Sequence, residues 1–207
     1  MFTRRALINC ALALALVPAL ASSALAFKVG DAAPAFSATD SKGKAHTQDS
    51  HKGKFVVLEW MNHGCPYVRK HYDSQNMQTL QGEWTGKGVV WLSVISSAPG
   101  KQGYSDPAQA EADYAKYGSK ATAVLLDPEG KMGRAYGAKS TPQMVIIDPD
   151  GKVIYSGGID DKATADQADI QTATNYVAKA LREATAGKPV STPLSQPYGC
   201  SVKYAAQ

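Results

Sequence analysis

Apolar residues in this chain gather into short, β-rich runs separated by segments with helical spacing or turn composition. Phe55-Val-Val-Leu-Glu-Trp60 and Val89-Val-Trp-Leu-Ser-Val-Ile95 are near-continuous apolar stretches of the kind that form buried parallel strands. Ala123-Val-Leu-Leu126 predicts a third strand. Gln143-Met-Val-Ile-Ile-Asp148, the turn Pro149-Asp150-Gly151 and Lys152-Val-Ile-Tyr155 predict a β-hairpin. Between these runs, a helix is expected from about Pro66 to Trp84, ended by Gly86 and Gly88. A second is expected from Asp106-Pro107 to about Tyr117, with an aspartate N-cap and proline in the first turn. A short helix follows the turn Asp127-Pro128-Glu129-Gly130, and helical spacing returns from about Gln167 to Ala186, with Ile170, Ala173, Val177, Ala180 and Leu181 on one face. Phe27 to Ser50 reads as an N-terminal extension with short strands, broken by Pro34 and a Ser41-Lys42-Gly43 turn. This order predicts an α/β fold, a central mixed β-sheet flanked by helices on both faces.

The first residues change the picture of where such a domain works. Arg4 and Arg5 precede a small-apolar run to about Leu20, and Ala24-Leu25-Ala26 supplies a small-residue cleavage site. That is the pattern of a cleavable export signal, predicted to be cut after Ala26, and the run is short for a membrane span. The expected product is periplasmic or secreted, with no stable membrane insertion after cleavage. Its domain covers residues 27–187, and a C-terminal tail covers 188–207. Loss of residues 1–26 lowers the formal charge from +4 to +2, because the segment holds two arginines and no acid. So weak a bias gives no reason to expect a nucleic-acid partner.

Of the three cysteines, Cys10 leaves with the signal, so the mature chain keeps Cys65 and Cys200 in a compartment where disulfides persist. Cys65 lies just past a buried strand and immediately before Pro66 at a helix start. Unpaired N–H groups and the positive end of the helix dipole favour a thiolate there. Cysteines so placed have pKa values of roughly 3.5–7.5 against about 8.5 when free. Cys65 is therefore the candidate nucleophile. Asn62 and His63 precede it, and His63 is the candidate for acid–base help. Arg69 could add positive potential, but Arg69, Lys70 and His71 together are expected to form a solvated helix face. Glu59, polar inside an apolar strand, is either exposed at the strand end or a buried proton carrier. Cys200, in a tail with Pro and Gly, can fold back to resolve a mixed disulfide on Cys65; the same pair could also be a structural staple.

Cys65-Pro66 at a helix start, then Tyr136-Gly137, Ser140-Thr141-Pro142 and an apolar strand ending in Asp148, together resemble the thioredoxin superfamily across essentially the whole mature chain. The resemblance implies a cis Thr141-Pro142 bond and a loop that offers backbone groups to a substrate peptide, with Pro142 as a substrate-loop residue. More narrowly, Glu59 to Tyr72 together with Tyr198-Gly199-Cys200-Ser-Val-Lys-Tyr204 are similar to the redoxin group that contains alkyl hydroperoxide reductase and thiol-specific antioxidant proteins. Three positions depart from the relatives. Val68 stands where thioredoxin-type reductases carry a second cysteine. Asn62 stands where peroxiredoxins place Thr or Ser, and Pro142 falls where they carry an arginine. The leading expectation is thiol–disulfide exchange with protein or small-molecule thiols and disulfides, fed by an external electron donor. A peroxiredoxin-like peroxidase resolved by Cys200 is one alternative. A copper- or metal-binding protein using Cys65, Cys200 and His63 or His71 is another. No nucleotide, flavin or haem motif is present, so no cofactor is expected.

Overall fold

The computed structural model describes residues 27–206, and the expected export signal lies outside the described residues. The N-terminal extension forms a small hairpin, β1 (Ser37–Asp40) and β2 (Ala45–Thr47). There follow β3 (Val56–Trp60), α1 (Pro66–Asp73), α2 (Asn76–Thr85), β4 (Val90–Ile95), α3 (Pro107–Lys116), β5 (Ala123–Leu126) and α4 (Lys131–Ala135). The chain ends with β6 (Ser140–Thr141), β7 (Gln143–Ile147), β8 (Val153–Gly157), α5 (Tyr176–Thr185) and β9 (Cys200–Ser201). Seven strands form one mixed sheet in the order β2-β1-β5-β4-β3-β7-β8, while β6 and β9 make a separate two-stranded pair. β3 runs parallel to β4 and antiparallel to β7. Among the described residues no helix is long and apolar enough to cross a membrane.

The period of two along β3 divides the core. Val56, Leu58 and Trp60 point to one face, with Leu92, Val94, Leu125, Met132, Tyr136 and Val145. Val57 and Met61 point to the other, which the helices cover with Val68, Tyr72, Leu80, Trp84, Val177 and Leu181. Glu59 shares the helix-covered face by alternation and is fully buried, which decides between its two expected placements. Its carboxylate accepts from Tyr72 Oη (2.8 Å), Trp91 Nε1 (2.7 Å), Gln81 Nε2 (3.0 Å) and Ser93 Oγ (3.1 Å). Strand β3, its neighbour β4 and both following helices are thereby tied at one point, directly upstream of Cys65.

Two expected helices prove to be broken. The segment 66–84 bends at Gln75, which takes a left-handed conformation (φ 64°) between α1 and α2. Ser74 Oγ has already turned back to the Lys70 carbonyl (2.6 Å), closing the last turn of α1. The segment 167–186 is a 3₁₀ turn (Gln167–Gln171) followed by α5, whose N-cap Asn175 accepts from the Ala178 amide (2.8 Å). Val177, Ala180 and Leu181 are buried as expected, whereas Ile170 in the 3₁₀ turn and Ala173 in the break stay partly exposed. The helix starting at Pro107 is capped as its sequence predicts, with Asp106 accepting from Gln109 N (2.8 Å).

Candidate functional site

Cys65 is the N-cap residue of α1 and Pro66 opens the helix. The turn that delivers it is fixed by Asn62. The Asn62 carbonyl accepts from Cys65 N (2.9 Å), its Oδ1 accepts from Gly64 N (2.8 Å), and its Nδ2 donates to Gln102 Oε1 (2.9 Å). The Thr141-Pro142 peptide bond is cis, as the resemblance implied. The Cys65 thiol donates to the Thr141 carbonyl at 3.1 Å.

Cys200 arrives from the tail. β9 pairs antiparallel with β6, setting Cys200 opposite Thr141. The Cys200 amide donates to Cys65 Sγ at 3.4 Å. The sulfur is thus hydrogen-bonded both to the Thr141 carbonyl and to the Cys200 amide. Gly199 makes the approach possible: its φ is +129°, and a Cβ on it would overlap the Thr141 carbonyl oxygen. Cys65 is 0 % exposed, and Cys200 is partly exposed. Burial works against ionisation of Cys65, but the Cys200 thiol and the amides of Val68 and Cys200 outweigh it and hold the thiol below its ordinary value. Cys200 moves the opposite way, pushed up to about 11 by burial and by the neighbouring Cys65. The two thiols are therefore unequal, Cys65 the more acidic and Cys200 the less.

The tail is seated by a polar cluster that sequence patterning places in solvent. Lys70 and His71 are buried (1 % and 0 % exposed), not part of a solvated face, because α1 turns them inward toward Asp160; Arg69 does stay outside, paired with Asp73 at 3.1 Å. Lys70 Nζ lies 3.6 Å from Asp160 Oδ2 and donates to the Lys162 carbonyl at 2.7 Å. Asn76 Nδ2 meets His71 Nδ1 (2.8 Å), so the imidazole proton sits on Nε2 and points to Tyr198 Oη (3.2 Å), which donates to Asp160 Oδ1. Burial lowers His71 to about 4, so this chain of bonds runs through a neutral ring. Tyr198 stands two residues before Cys200, so the cluster fixes the tail next to the sulfur. Sequence reasoning missed Lys70, His71 and Asp160. The available signal was Tyr198, part of the terminal run, but its partners lie 38 and 127 residues away.

His63 is placed differently from the acid–base expectation. Its ring stacks on Tyr117 (centroids 4.0 Å apart, 11°) and meets the edge of Tyr72 (4.8 Å, 79°). Both ring nitrogens are buried without a hydrogen-bond partner, and burial lowers the imidazole to about 4. His63 is neutral near pH 7 and its contacts are aromatic. His63→Phe is therefore expected to change the rate of small-disulfide exchange by no more than about twofold and to raise the thermal midpoint slightly, since it removes two unsatisfied buried nitrogens. A tenfold loss of rate would return an acid–base role to the ring.

A family model described as Redoxin matches residues 28–174. The chain belongs to the redoxin family. As a redoxin it is a thiol-dependent oxidoreductase, with a thioredoxin-like fold. No curated protein matches it in sequence. Among solved structures, it is similar to a hypothetical protein from Sinorhizobium meliloti 1021 (TM-score 0.72, 21 % identity, covering 87 % of this chain and 97 % of that one). An uncharacterised conserved protein from Geobacillus kaustophilus is similar to the same extent (TM-score 0.72, 24 % identity, 87 % and 94 % covered). The thioredoxin domain of a thiol-disulfide oxidoreductase from Bacteroides vulgatus shares the fold more loosely (TM-score 0.51, 18 % identity, 70 % and 97 % covered). At these identities the likeness is one of fold.

Proposed function

We propose that this redoxin is an exported thiol–disulfide oxidoreductase in which Cys65 is the nucleophile and Cys200 the resolving cysteine. The observation that carries the reading is the β6–β9 pairing, which holds the Cys200 amide 3.4 Å from Cys65 Sγ. A second cysteine inside α1 is replaced by Val68, and the tail supplies the missing partner from the other side of the sulfur. Residues 27–187 make up the catalytic domain and residues 188–207 the tail that completes it. The substrates are disulfides of proteins or small molecules, and the electron donor is an external dithiol. Cleavage after Ala26 would release the domain into the periplasm or the medium, where such a pair can cycle.

In this scheme the Cys65 thiolate attacks one sulfur of the substrate disulfide and expels the other as a thiolate. The Cys200 thiolate then attacks Cys65 Sγ, closing the intramolecular disulfide and expelling the second substrate thiolate. Thr141 and Pro142 form the loop against which the reacting sulfur lies. Asn62 positions the Cys65 turn, and within that turn His63 stacks on Tyr117.

The expected result with reduced mature protein and a small disulfide is loss of both thiols without a retained adduct. In Cys200→Ser, one equivalent of mixed disulfide stays on Cys65. Wild-type protein that keeps both thiols while free cysteine is oxidised under the same conditions would overturn the proposal. Loss of thiol to peroxide, faster than for free cysteine and with sulfenic acid trapped in Cys200→Ser, would replace it with a peroxidase.

A further inference from the structure

The cover over Cys65 is fastened on both sides of Cys200. Upstream, Tyr198 is bonded to Asp160 and His71, and its ring lies 5.5 Å from Lys70 Nζ and 5.9 Å from the Tyr67 ring. Downstream, Val202 N donates to the Lys139 carbonyl (3.0 Å), the Lys203 carbonyl accepts from Ala98 N (2.9 Å), and Tyr204 Oη donates to the Ala138 carbonyl (2.7 Å). Arg134 lies over the Tyr204 ring at 4.5 Å. At Cys200 itself the strand pairing is only two residues long, and the contacts beside it are long, 3.4 Å from its amide to Cys65 Sγ and 3.4 Å from Thr141 Oγ1 to its carbonyl. Because Cys65 is fully buried beneath it, a substrate disulfide reaches Cys65 in the dithiol form only when this segment lifts. Once the two sulfurs are joined, the bond itself holds the segment down, and Cys65 stays beneath it.

We infer that in the oxidised protein the sulfur attacked by the external donor thiol is that of Cys200, not Cys65. The inference rests on the redox pair proposed above and assigns its reductive half. The donor thiolate forms a bond to Cys200 Sγ while the Cys65–Cys200 bond breaks, and its electron pair leaves on Cys65 as the thiolate. The second thiolate of the dithiol donor then attacks the donor sulfur bound to Cys200 and expels the Cys200 thiolate, which takes a proton. One dithiol is oxidised and one protein disulfide reduced. In-line attack on Cys200 comes from the side opposite Cys65, and Cys200 is partly exposed, whereas attack on Cys65 would have to reach a fully buried residue. The leaving group agrees with the geometry. The sulfur expelled first is the one stabilised at the helix start, and thiol–disulfide exchange is faster when the leaving thiol is the more acidic. The order of contact is thus inverted between the halves: substrate disulfide at Cys65, donor thiol at Cys200.

Glutathione serves as the probe. Fully oxidised wild-type protein is mixed with glutathione, quenched with acid within seconds, alkylated with a maleimide, digested and mapped by mass. The expected product carries glutathione on the Cys200 peptide and maleimide on the Cys65 peptide, by about tenfold or more over the converse, because both access and leaving-group acidity favour it. Glutathione found mainly on Cys65 overturns the assignment and leaves the redox pair standing. Oxidised protein that contains no Cys65–Cys200 disulfide overturns both.

Discussion

Gly199→Ala is expected to uncover Cys65. Alkylation of the reduced protein by iodoacetamide should speed up at Cys65 while Cys200 changes little. The reason is local: Gly199 has a φ of +129°, and a methyl group there would overlap the Thr141 carbonyl. Backbone strain at such a position costs about 1–3 kcal/mol when the residue is not glycine. Applied to the equilibrium between a seated and a lifted tail, that range raises the lifted fraction roughly 5- to 150-fold. The overlap with Thr141 adds to it, so the upper part of the range is expected. Global stability should fall less, since upstream of the site the Tyr198 anchor and the contacts of Ser195 with β8 remain. Two measurements separate these effects, the Cys65 alkylation rate in the absence of denaturant and the urea midpoint. An unchanged alkylation rate with a lowered midpoint would show that the tail is not what buries the sulfur.

Glu59→Leu is expected to be the most destabilising single change near the site. Leucine fits the volume but leaves Tyr72 Oη, Trp91 Nε1, Gln81 Nε2 and Ser93 Oγ without their common acceptor. Each stranded buried donor costs about 1–3 kcal/mol, and with partial relaxation the sum should reach about 4 kcal/mol. Against a total of about 5–15 kcal/mol for a domain, this approaches unfolding. At a urea slope of about 2 kcal/mol per molar, it corresponds to a midpoint lowered by about 2 M. Glu59→Gln keeps one acceptor oxygen and should cost less, and it isolates the titration. Burial raises the Glu59 pKa, and the four donors only partly offset it. A carboxyl whose folded pKa is raised contributes stability that is fully present below its unfolded value, near 4.5, and is lost as pH rises through the folded value. Wild-type stability should therefore decline relative to Glu59→Gln as pH rises across that window. Parallel pH profiles for the two proteins would show that Glu59 titrates alike in the folded and unfolded chain.

The strands and their order were legible because each is a short apolar run closed by a turn signal, and Val56 to Trp60 differs from its expected span by one residue. The two helix breaks were not legible for the same reason. Gln75 and Thr172 carry no glycine or proline to mark them, and the apolar spacing continues across both. The Cys65 turn was readable because N-cap, proline and preceding strand are contiguous. The cluster of Lys70, His71, Asp160 and Tyr198 was hidden by a reasonable prior, that lysine and histidine beside an arginine on a helix face water. Only contacts across 38 to 127 residues overturn that prior. The β6–β9 pair is equally silent in sequence. Two residues per strand are too few to show a period, and what marks the spot is Gly199 before Cys200.

Farther up the tail, Ser195 is stitched to β8. Its amide donates to the Ser156 carbonyl (3.2 Å), its Oγ accepts from Gly158 N (2.9 Å) and meets Tyr155 Oη (2.7 Å), and Ser156 N donates to the Pro193 carbonyl (3.1 Å). When the segment around Cys200 lifts, this stitch is the post of a short tether. Cys200 lies five residues after Ser195, so a fully extended tether reaches about 17 Å and no farther. A thiol confined to so small a volume is present at an effective concentration of roughly millimolar or more, however dilute the protein. Closure of the Cys65–Cys200 bond is then set by the length of the tether rather than by competing thiols in the surroundings, and lengthening the segment between Ser195 and Cys200 would slow it without touching either sulfur.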